Sequence, residues 1–455
     1  MNQVFDTKGT RYVLGEPLGY GGQGRVFKVD GQDLVVKLLF NQTEVRREKL
    51  RNRLNFVRRL PLEELDVARP IEMLRPPYLG YVMELLTDMV PLKILAEPDR
   101  DIRSLAEWYL QTGGLGRRLR LLARTAGTLA KLHGKGLVYG DPSLQNVFVS
   151  KAIDANEVWF IDADNLDYES SPNNSALYTP DYGAPELVNG RSGVNTLTDA
   201  HAFSVMAFKV LSLTHPLFGN MVINGEPELE EKALTGQLPW IDHPEDESNR
   251  ASFGIPRKWV LSTELGRIAQ RAFGSGLTDP VTRPGIQEWA QYLYTACDST
   301  LLCPSCGGTY YVNQPSCSWC DEPRGQFVAM MFHLWDPDTK ELMKEPSKKR
   351  LIVGHAILSE GVAVRMTHRQ AFGSTGKQSE DPVLEIKFEE QHLSFKNIDG
   401  NIYRLISPDG KHFSEISERP KRLKLTEERE SWQLHFGLPE HRHRVVRFEM
   451  KGNTP

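Results

Sequence analysis

The segment Tyr139-Gly140-Asp141-Pro142-Ser143-Leu144-Gln145-Asn146 places an aspartate and an asparagine five residues apart. Sixteen residues after Asn146, Asp162 ends the apolar run 158–161, which has the composition of a buried strand. Such a strand can place two oxygen ligands, its own carboxylate and the loop asparagine, on Mg²⁺, and the loop aspartate then faces an incoming hydroxyl. Taken singly, each aspartate is more often a helix cap or a turn residue. Together, at these spacings, they predict a site that transfers a phosphoryl group.

The composition permits such an enzyme without identifying it. A length of 455 residues predicts about two to four domains. The 55 Lys and Arg residues nearly balance the 59 Asp and Glu residues, so we expect neither nucleic acid nor a membrane surface as a partner. The start of the chain lacks a basic stretch followed by an apolar one, and no segment approaches about 18 uninterrupted apolar residues. We therefore expect a soluble, cytoplasmic protein.

Residues 11–40 alternate short β-type runs with glycines, which predicts a hairpin with a glycine-rich tip and a third strand that carries Lys37. The tip contains Gly19, Gly21 and Gly24. This spacing also opens dinucleotide-binding βαβ units, but there a helix follows the third glycine. Here a strand-like run follows it, and glycines at a hairpin tip let backbone N–H groups approach phosphate oxygens. We interpret the tip as a phosphate-covering loop, with a structural turn as the alternative.

The rest of the first 300 or so residues changes from β-type to helical patterns. A helix at 43–60 and a strand at 80–86 complete a small β-rich lobe. Further amphipathic patterns predict helices at 115–136, 198–213, 261–273 and 285–297. A β-rich lobe followed by a helical lobe, with the carboxylates at their junction, predicts a two-lobed enzyme with a cleft.

Four of the five cysteines form two CxxC pairs separated by ten residues: Cys303, Cys306, Cys317 and Cys320. Two such turns close a tetrahedral Cys₄ shell, so the pattern predicts structural Zn²⁺ in a small ribbon at 299–325 rather than disulfides. Cys297 is left over and is expected to be a packed helix residue. Alternating runs and turns at 326–455 predict a mainly β domain, a sandwich or small barrel. Its run 441–444, rich in His and Arg, suggests a solvated turn more readily than a metal or anion site.

With these motifs in place, residues 10–298 resemble a eukaryotic-like (Hanks-type) protein kinase. The glycine tip with Val26 is similar to that family's glycine-rich loop, and Leu34-Val35-Val36-Lys37 to its Val-Ala-Ile-Lys strand. The resemblance implies an α+β fold with an N-lobe at 10–86 and a C-lobe at 87–298, and it implies ATP and Mg²⁺ as cofactors.

The resemblance also assigns roles to individual residues. Asp141 becomes the catalytic base, Asn146 and Asp162 the Mg²⁺ ligands, and Lys37 the ligand of the α- and β-phosphates. It places the glutamate that pairs with the lysine at Glu48. Glu44, one turn earlier, competes for that role, and the alternative for both glutamates is a solvated helix face rich in Arg.

Six positions are implied as contacts of the nucleotide base, although ordinary core packing accounts for them as simply: Val26, Val35, Met83, Glu84, Leu86 and Phe148. Tyr178–Glu186 is similar to the segment that holds protein substrates and ends in Ala-Pro-Glu. The resemblance pairs Glu186 with Arg283 and makes Asp199 a brace of the catalytic loop. We interpret these three as scaffold.

Three departures from the family bear on regulation and specificity. Gly140 replaces the arginine that grips a phosphorylated activation loop, which argues against control through that contact. Ser143 replaces a lysine that touches the transferred phosphate in serine/threonine kinases. Ala163-Asp164 replaces Phe-Gly after the metal-binding aspartate, so the Phe-driven inactive flip is not expected.

The leading hypothesis is an ATP- and Mg²⁺-dependent protein kinase acting on Ser/Thr hydroxyls, with a zinc ribbon and a β-rich docking or regulatory module. The domain order resembles bacterial kinases that are paired with a PP2C-type phosphatase and a von Willebrand A-domain protein. A nucleotide-binding pseudokinase or scaffold is the second hypothesis, which retention of the catalytic residues argues against. A small-molecule kinase ranks third, because such enzymes lack the Ala-Pro-Glu segment and its arginine.

Overall fold

A computed structural model describes residues 3–20, 24–40, 43–99, 101–171, 178–425 and 432–452. The chain divides into two compact units. The first unit comprises Met1–Trp108, Arg120–Arg257 and Thr263–Ala290, and the second comprises Tyr109–Leu119, Lys258–Ser262 and Gln291–Pro455. The domain boundaries expected from the sequence stay predictions. Within the described ranges, no helix is both long enough and apolar enough to cross a membrane.

The first unit begins with an antiparallel six-stranded sheet in the order β1-β2-β3-β4-β6-β5. Its strands are β1 Gln3–Phe5, β2 Arg11–Tyr20, β3 Gly24–Val29, β4 Leu34–Leu39, β5 Glu72–Met73 and β6 Gly80–Glu84. Val4 on β1, Val36 on β4 and Val82 on β6 belong to one apolar core. On β4, Leu34 and Leu38 pack against the same core two residues before and after Val36, as the period of two of a pleated strand requires. Helix α1, Glu44–Val57, follows β4. The antiparallel pairing of β2, β3 and β4 confirms the expected hairpin strands and the Lys37 strand, whereas residues 21–23 of the glycine tip lie outside the described residues.

The register of this sheet places Lys37 beside Tyr81. Lys37 on β4 pairs with Val26 on β3 and with Tyr81 on β6. Directly opposed residues of neighbouring strands project from the same face of a sheet. The Lys37 ammonium and the Tyr81 ring therefore lie on one face, with the ammonium 5.7 Å from the ring centroid.

The chain from residue 89 to residue 298 is mainly helical; most of it belongs to the first unit, and residues 109–119, 258–262 and 291–298 belong to the second. The helices along the chain are α2 Leu105–Gln111, α3 Gly114–Gly134, α4 Pro185–Val188, α5 Thr196–Ser212, α6 Asn220–Ile223, α7 Pro227–Leu234, α8 Arg257–Val260, α9 Thr263–Phe273, α10 Ser275–Thr278 and α11 Ile286–Asp298. Short strands lie between them: β7 Met89–Pro91, β8 Leu137–Val138, β9 Val147–Ser150, β10 Val158–Phe160 and β11 Asp167–Tyr168. Four of the helices, α3, α5, α9 and α11, confirm the helical patterns of the sequence.

Helix α5 forms the centre of this helical part. Asn195 caps its N-terminus, accepting from the backbone N–H groups of Leu197 and Thr198, while the Thr198 hydroxyl accepts from the Asn195 N–H. This reciprocal arrangement satisfies three N–H groups that a helix start otherwise leaves open. Nearly the whole of α5 is buried, so the helix is a rigid platform for the acidic residue in its first turn, Asp199.

The second unit contains a two-stranded ribbon, β12 Thr300–Leu302 with β13 Thr309–Tyr311, and a β-rich region. The β-rich strands are β14 Phe327–Asp336, β15 Glu341–Leu342, β16 Ile352–Ser359, β17 Ala363–Thr367, β18 Pro382–Glu389, β19 His392–Asn397, β20 Tyr403–Ile406, β21 Phe413–Ile416, β22 Lys421–Lys424, β23 Gln433–His435 and β24 His443–Lys451, with helix α12 at His368–Phe372. Seven strands form one sheet and four form another. Buried residues of both sheets share one core, which makes the region a sandwich.

Candidate active site

The loop that carries Asp141 is held by a buried carboxylate. Asp199 on α5 accepts hydrogen bonds from the backbone N–H groups of Tyr139 at 2.8 Å and Gly140 at 2.9 Å. His133 at the end of α3 lies 3.0 Å from the same carboxylate. Gly140 has a φ of +88°, a conformation that a side chain disfavours. Asp199 therefore fixes the loop from behind, as the resemblance implied.

The Asp141 carboxylate has a partner for each oxygen. Asn146 donates its side-chain amide to Oδ2 at 3.0 Å, and the Thr179 backbone N–H donates to Oδ1 at 2.7 Å. Burial raises the pKa of Asp141 above its usual value, although the bonds from Thr179 and Asn146 oppose that shift. A carboxylate with a raised pKa is a better proton acceptor near neutral pH. The contact with Thr179 was not expected from the sequence.

Asp162 lies two residues after the end of β10 in a left-handed conformation, with a φ of +58°. The preceding residue, Ile161, donates its N–H to the Asn146 carbonyl at 2.9 Å, and its own carbonyl accepts from the Tyr139 hydroxyl. These bonds join the catalytic loop to the segment after β10. They bring together the backbones of the two predicted Mg²⁺ ligands, Asn146 and Asp162. Because the Asn146 amide nitrogen is used by Asp141, its oxygen is the atom suited to a cation.

The Lys37 ammonium makes ion pairs with two carboxylates. One is Asp162, and the other is Asp164, whose Oδ2 lies 3.0 Å away. Burial alone lowers the pKa of a lysine, but the charges of Asp164 and Asp162 outweigh it and hold the Lys37 pKa above its ordinary value. Lys37 is therefore a charged ammonium at neutral pH. An ammonium next to a carboxylate with 37% exposure suits a phosphate–metal complex.

The structure corrects the expected pair between Lys37 and Glu48. The Glu48 side chain is exposed, and in the part of the chain that the structure describes, Lys37 is paired with the two aspartates instead. Because a helix turns about 100° per residue, Glu48 lies roughly 180–240° from the residues that α1 packs inward. Those residues are Leu50, Leu54 and Val57. The alternative, Glu44, is 91% exposed and pairs with Arg47.

Helix α1 instead reaches the Asp162 segment through Arg53. Its Nε donates to the Asp164 carbonyl at 3.0 Å, and Nη2 donates to the Asn165 carbonyl at 2.9 Å. Its Nη1 donates to the Asp167 carboxylate at 2.7 Å. One guanidinium thus holds three points of the chain just after Asp162. Arg53 was not identified from the sequence, because the Arg-rich helix offers no local sign of which arginine turns inward.

The glycine loop is described in part. Gly19 on β2 pairs with Val26 on β3, and Gly24 begins β3. A Cβ on Gly24 would lie 2.3 Å from the Leu38 carbonyl oxygen, so only glycine fits that position. Gly21 lies outside the described residues. Phosphate binding by this loop stays a prediction.

The positions implied for the nucleotide base lie on strands β3, β4, β6 and β9 or directly after β6. Val35 is buried and opposes the half-buried Met83 across β4 and β6, while Glu84 is exposed. The other three are half-buried: Val26, Leu86 and Phe148. Their contact with a base stays a prediction. Beside Asp141, a small recess is lined by Tyr178, Tyr182 and Leu187, among others.

The four cysteines of the CxxC pairs form one cluster in the second unit. Their sulfur atoms all lie within 4.8 Å of one another. The Sγ atoms of Cys303 and Cys320 are 3.6 Å apart, and those of Cys306 and Cys317 are 3.7 Å apart. Tetrahedral zinc with Zn–S bonds of about 2.3 Å requires sulfur separations of about 3.8 Å. The donor set and its spacing fit a structural Zn²⁺ site.

Comparison with known proteins gives a distant, partial relationship. No protein-family model matches the chain. The chain is similar to the serine/threonine-protein kinase pkn2 of Myxococcus xanthus, with 33% identity over 131 residues. The match covers 27% of this chain and spans 15% of the relative's length. Part of the chain is therefore homologous to a serine/threonine protein kinase.

Proposed function

We propose that the chain is a protein kinase that transfers the γ-phosphoryl group of ATP to a Ser/Thr hydroxyl of a protein, with Mg²⁺. The observation that carries the proposal is the ion pair between Lys37 and Asp162, 125 residues apart in sequence. This pair places the Lys37 ammonium, which would bind phosphate oxygens, beside the Asp162 carboxylate, which would bind the metal. The loop that carries the separate carboxylate of Asp141 is bonded to the same segment. In protein kinases, an aspartate and an asparagine hold Mg²⁺ next to a lysine that binds the phosphates.

Each of the four site residues has a role that its chemistry supports. Asp141, half-buried and oriented by Asn146 and Thr179, would accept or orient the proton of the incoming hydroxyl. Asn146 and Asp162 would hold Mg²⁺, and Lys37 would bind the α- and β-phosphates. The bound cation supplies neutralisation of the charge on the phosphates. The chain itself supplies orientation, because each of these side chains is fixed by bonds already present.

A protein substrate is favoured over a small molecule by the segment that ends at Glu186. That residue forms a two-point ion pair with Arg283, which anchors the segment beside the Asp141 recess. The preference for Ser/Thr rests on the partial homology to a serine/threonine kinase. We further propose that the sandwich docks or regulates, that the protein is cytoplasmic, and that a PP2C-type phosphatase and a von Willebrand A-domain protein are partners.

The test is phosphoryl transfer by the purified full chain. Labelled ATP, Mg²⁺ and casein as a generic substrate should yield labelled protein, and Asp162→Ala or Lys37→Ala should abolish the signal. Asp154→Asn, at an exposed aspartate between β9 and β10, is the matched control and should retain full activity. Tight ATP binding without transfer to any protein would overturn the enzyme in favour of a scaffold. Phosphorylation of a small alcohol in preference to protein would point to a small-molecule kinase.

A further inference from the structure

We propose that Asp164 is the positioning residue of Lys37, in the role that the resemblance gave to a glutamate of helix α1. The inference rests on the proposed function, because it concerns the lysine that binds the nucleotide phosphates. Asp164 stands where related kinases have the glycine after the metal-binding aspartate. Sequence alone presents it as a departure from a motif, whereas the structure gives it a partner for each oxygen.

The Asp164 carboxylate is enclosed by two partners. Its side chain is only 5% exposed, and Oδ2 lies 3.0 Å from the Lys37 ammonium. Oδ1 accepts from the Tyr81 hydroxyl at 2.9 Å. Tyr81 is itself 1% exposed and opposes Lys37 directly across the sheet. Lysine, tyrosine and aspartate therefore form a closed, buried triangle.

The backbone around Asp164 is held as firmly as its side chain. Asp162 turns the chain with its left-handed backbone, and residues Ala163–Asn165 form a single 3₁₀ turn. Arg53 from α1 then binds the carbonyls of Asp164 and Asn165. Helix α1 therefore stabilises the lysine's partner instead of providing it.

The two aspartates that pair with Lys37 differ in their surroundings. Asp162 is 37% exposed, so one of its oxygens is open to a cation. Asp164 is enclosed, and each of its oxygens already accepts a hydrogen bond from Lys37 or Tyr81. Burial with both oxygens occupied suits a counterion rather than a metal ligand. Asp164 accordingly keeps Lys37 in place while Asp162 is free to bind the metal.

The experiment compares nucleotide binding in variants of the full chain, using a fluorescent ATP analogue with Mg²⁺ so that no transfer is needed. Asp164→Asn should weaken binding at least tenfold without changing the Mg²⁺ concentration at half-saturation. Tyr81→Phe, which keeps the ring, should weaken it severalfold. Glu48→Gln should leave it unchanged. In a Lys37→Met background, Asp164→Asn should have no further effect, because it acts through the lysine.

Three results would overturn the proposal. They are an unchanged affinity in Asp164→Asn, a raised Mg²⁺ requirement that persists without Lys37, or a loss in Glu48→Gln as large as that in Asp164→Asn. If circular dichroism shows that Asp164→Asn does not fold, Tyr81→Phe is the deciding variant. An unchanged nucleotide affinity in Tyr81→Phe would then overturn the proposal. If the variants show the expected differences in nucleotide affinity but the wild-type protein transfers no phosphate, the proposed kinase activity is refuted and the role of Asp164 stands.

Discussion

Glu186 and Arg283 form a two-point ion pair, with bonds of 2.6 and 2.7 Å between the guanidinium and both carboxylate oxygens. The Arg283 side chain is 1% exposed and that of Glu186 is 13% exposed. Arg283 also donates to the carbonyls of Leu197 at 3.1 Å and Gly276 at 2.7 Å. The pair therefore ties the start of α4 to α5 and α10. Its geometry matches the scaffold role inferred from the sequence.

Removing the carboxylate charge should be strongly destabilising. Glu186→Gln leaves a buried guanidinium without its counterion, and breaking a buried pair from one side costs about 3–5 kcal/mol. We expect a loss of this size in the free energy of unfolding, measured by urea denaturation followed by circular dichroism.

The matched control is Glu288→Gln. Glu288 bonds to Arg271 at 2.6 Å, but these side chains are 28% and 37% exposed. A solvated pair contributes only about 0–1 kcal/mol, so this variant should unfold close to wild type. Equal losses in the two variants would show that burial does not set the strength of the Glu186 pair.

Zinc content should depend on the four clustered cysteines and not on the fifth. Cys317 is fully buried within the cluster, and a serine there removes one thiolate from a tetrahedral shell. We expect about one zinc ion per chain in the wild type and well under half of that in Cys317→Ser, by elemental mass spectrometry. Cys297→Ser should retain the metal. Zinc retention in Cys317→Ser, or an equal loss in both variants, would contradict a Cys₄ site.

The sequence was most informative where a signal is local. The hairpin around Gly19 and Gly24 and the helix before the Asp141 loop follow from periodicity and glycine placement over a few residues. Each CxxC pair spans one tight turn, so its spacing alone predicts that its two sulfur atoms lie close together. Asp141 and Asn146 lie only five residues apart in one loop, so their contact needs no long-range information.

What the sequence did not predict depends on long-range packing. In sequence, Glu48 and Asp164 each carry a carboxylate that could pair with Lys37, and Glu48 does not because the rotation of α1 about its axis leaves it exposed. That rotation is set by apolar contacts, and the strongly charged helix sequence gives little sign of it. Asp164 is further stabilised by Tyr81, 83 residues away. Residues 109–119 and 258–262 belong to the second unit, and no local sequence pattern predicts this assignment.

Acid should destabilise the second unit through His435. Burial, with His443 nearby, lowers the pKa of His435 from 6.5 to about 3. Between these values the folded chain keeps the imidazole neutral while the unfolded chain binds a proton. The contribution to stability is therefore complete above about pH 6.5 and is lost as the pH falls, at about 1.4 kcal/mol per pH unit.

Urea denaturation at several pH values checks this prediction. Trp335, whose ring lies 5.1 Å from that of His435, should contribute a local fluorescence signal. His435→Asn should flatten the loss of stability as the pH falls from about 6.5 to about 5, whereas His441→Asn, at an exposed site, should follow the wild-type curve. Identical pH profiles for wild type and His435→Asn would show that another group is responsible.

Arg53 of α1 should matter for catalysis more than Arg58, the arginine that directly follows the helix. It holds the Asp164 and Asn165 carbonyls and the Asp167 carboxylate, so Arg53→Met frees the segment that carries Asp162 and Asp164. We expect kcat/KM for ATP to fall about 10- to 100-fold, which corresponds to roughly 1.4–2.7 kcal/mol of transition-state stabilisation.

The matched control is Arg58→Met, at the residue that directly follows the helix. Arg58 is 28% exposed against 26% for Arg53, and it pairs with Glu72 on β5 rather than with the Asp162 segment. Because Glu72 also pairs with Lys8, it keeps a cationic partner in this variant, and kcat/KM should change less than about twofold. A loss in Arg58→Met as large as that in Arg53→Met would mean that the helix acts through its general stability and not through this one guanidinium.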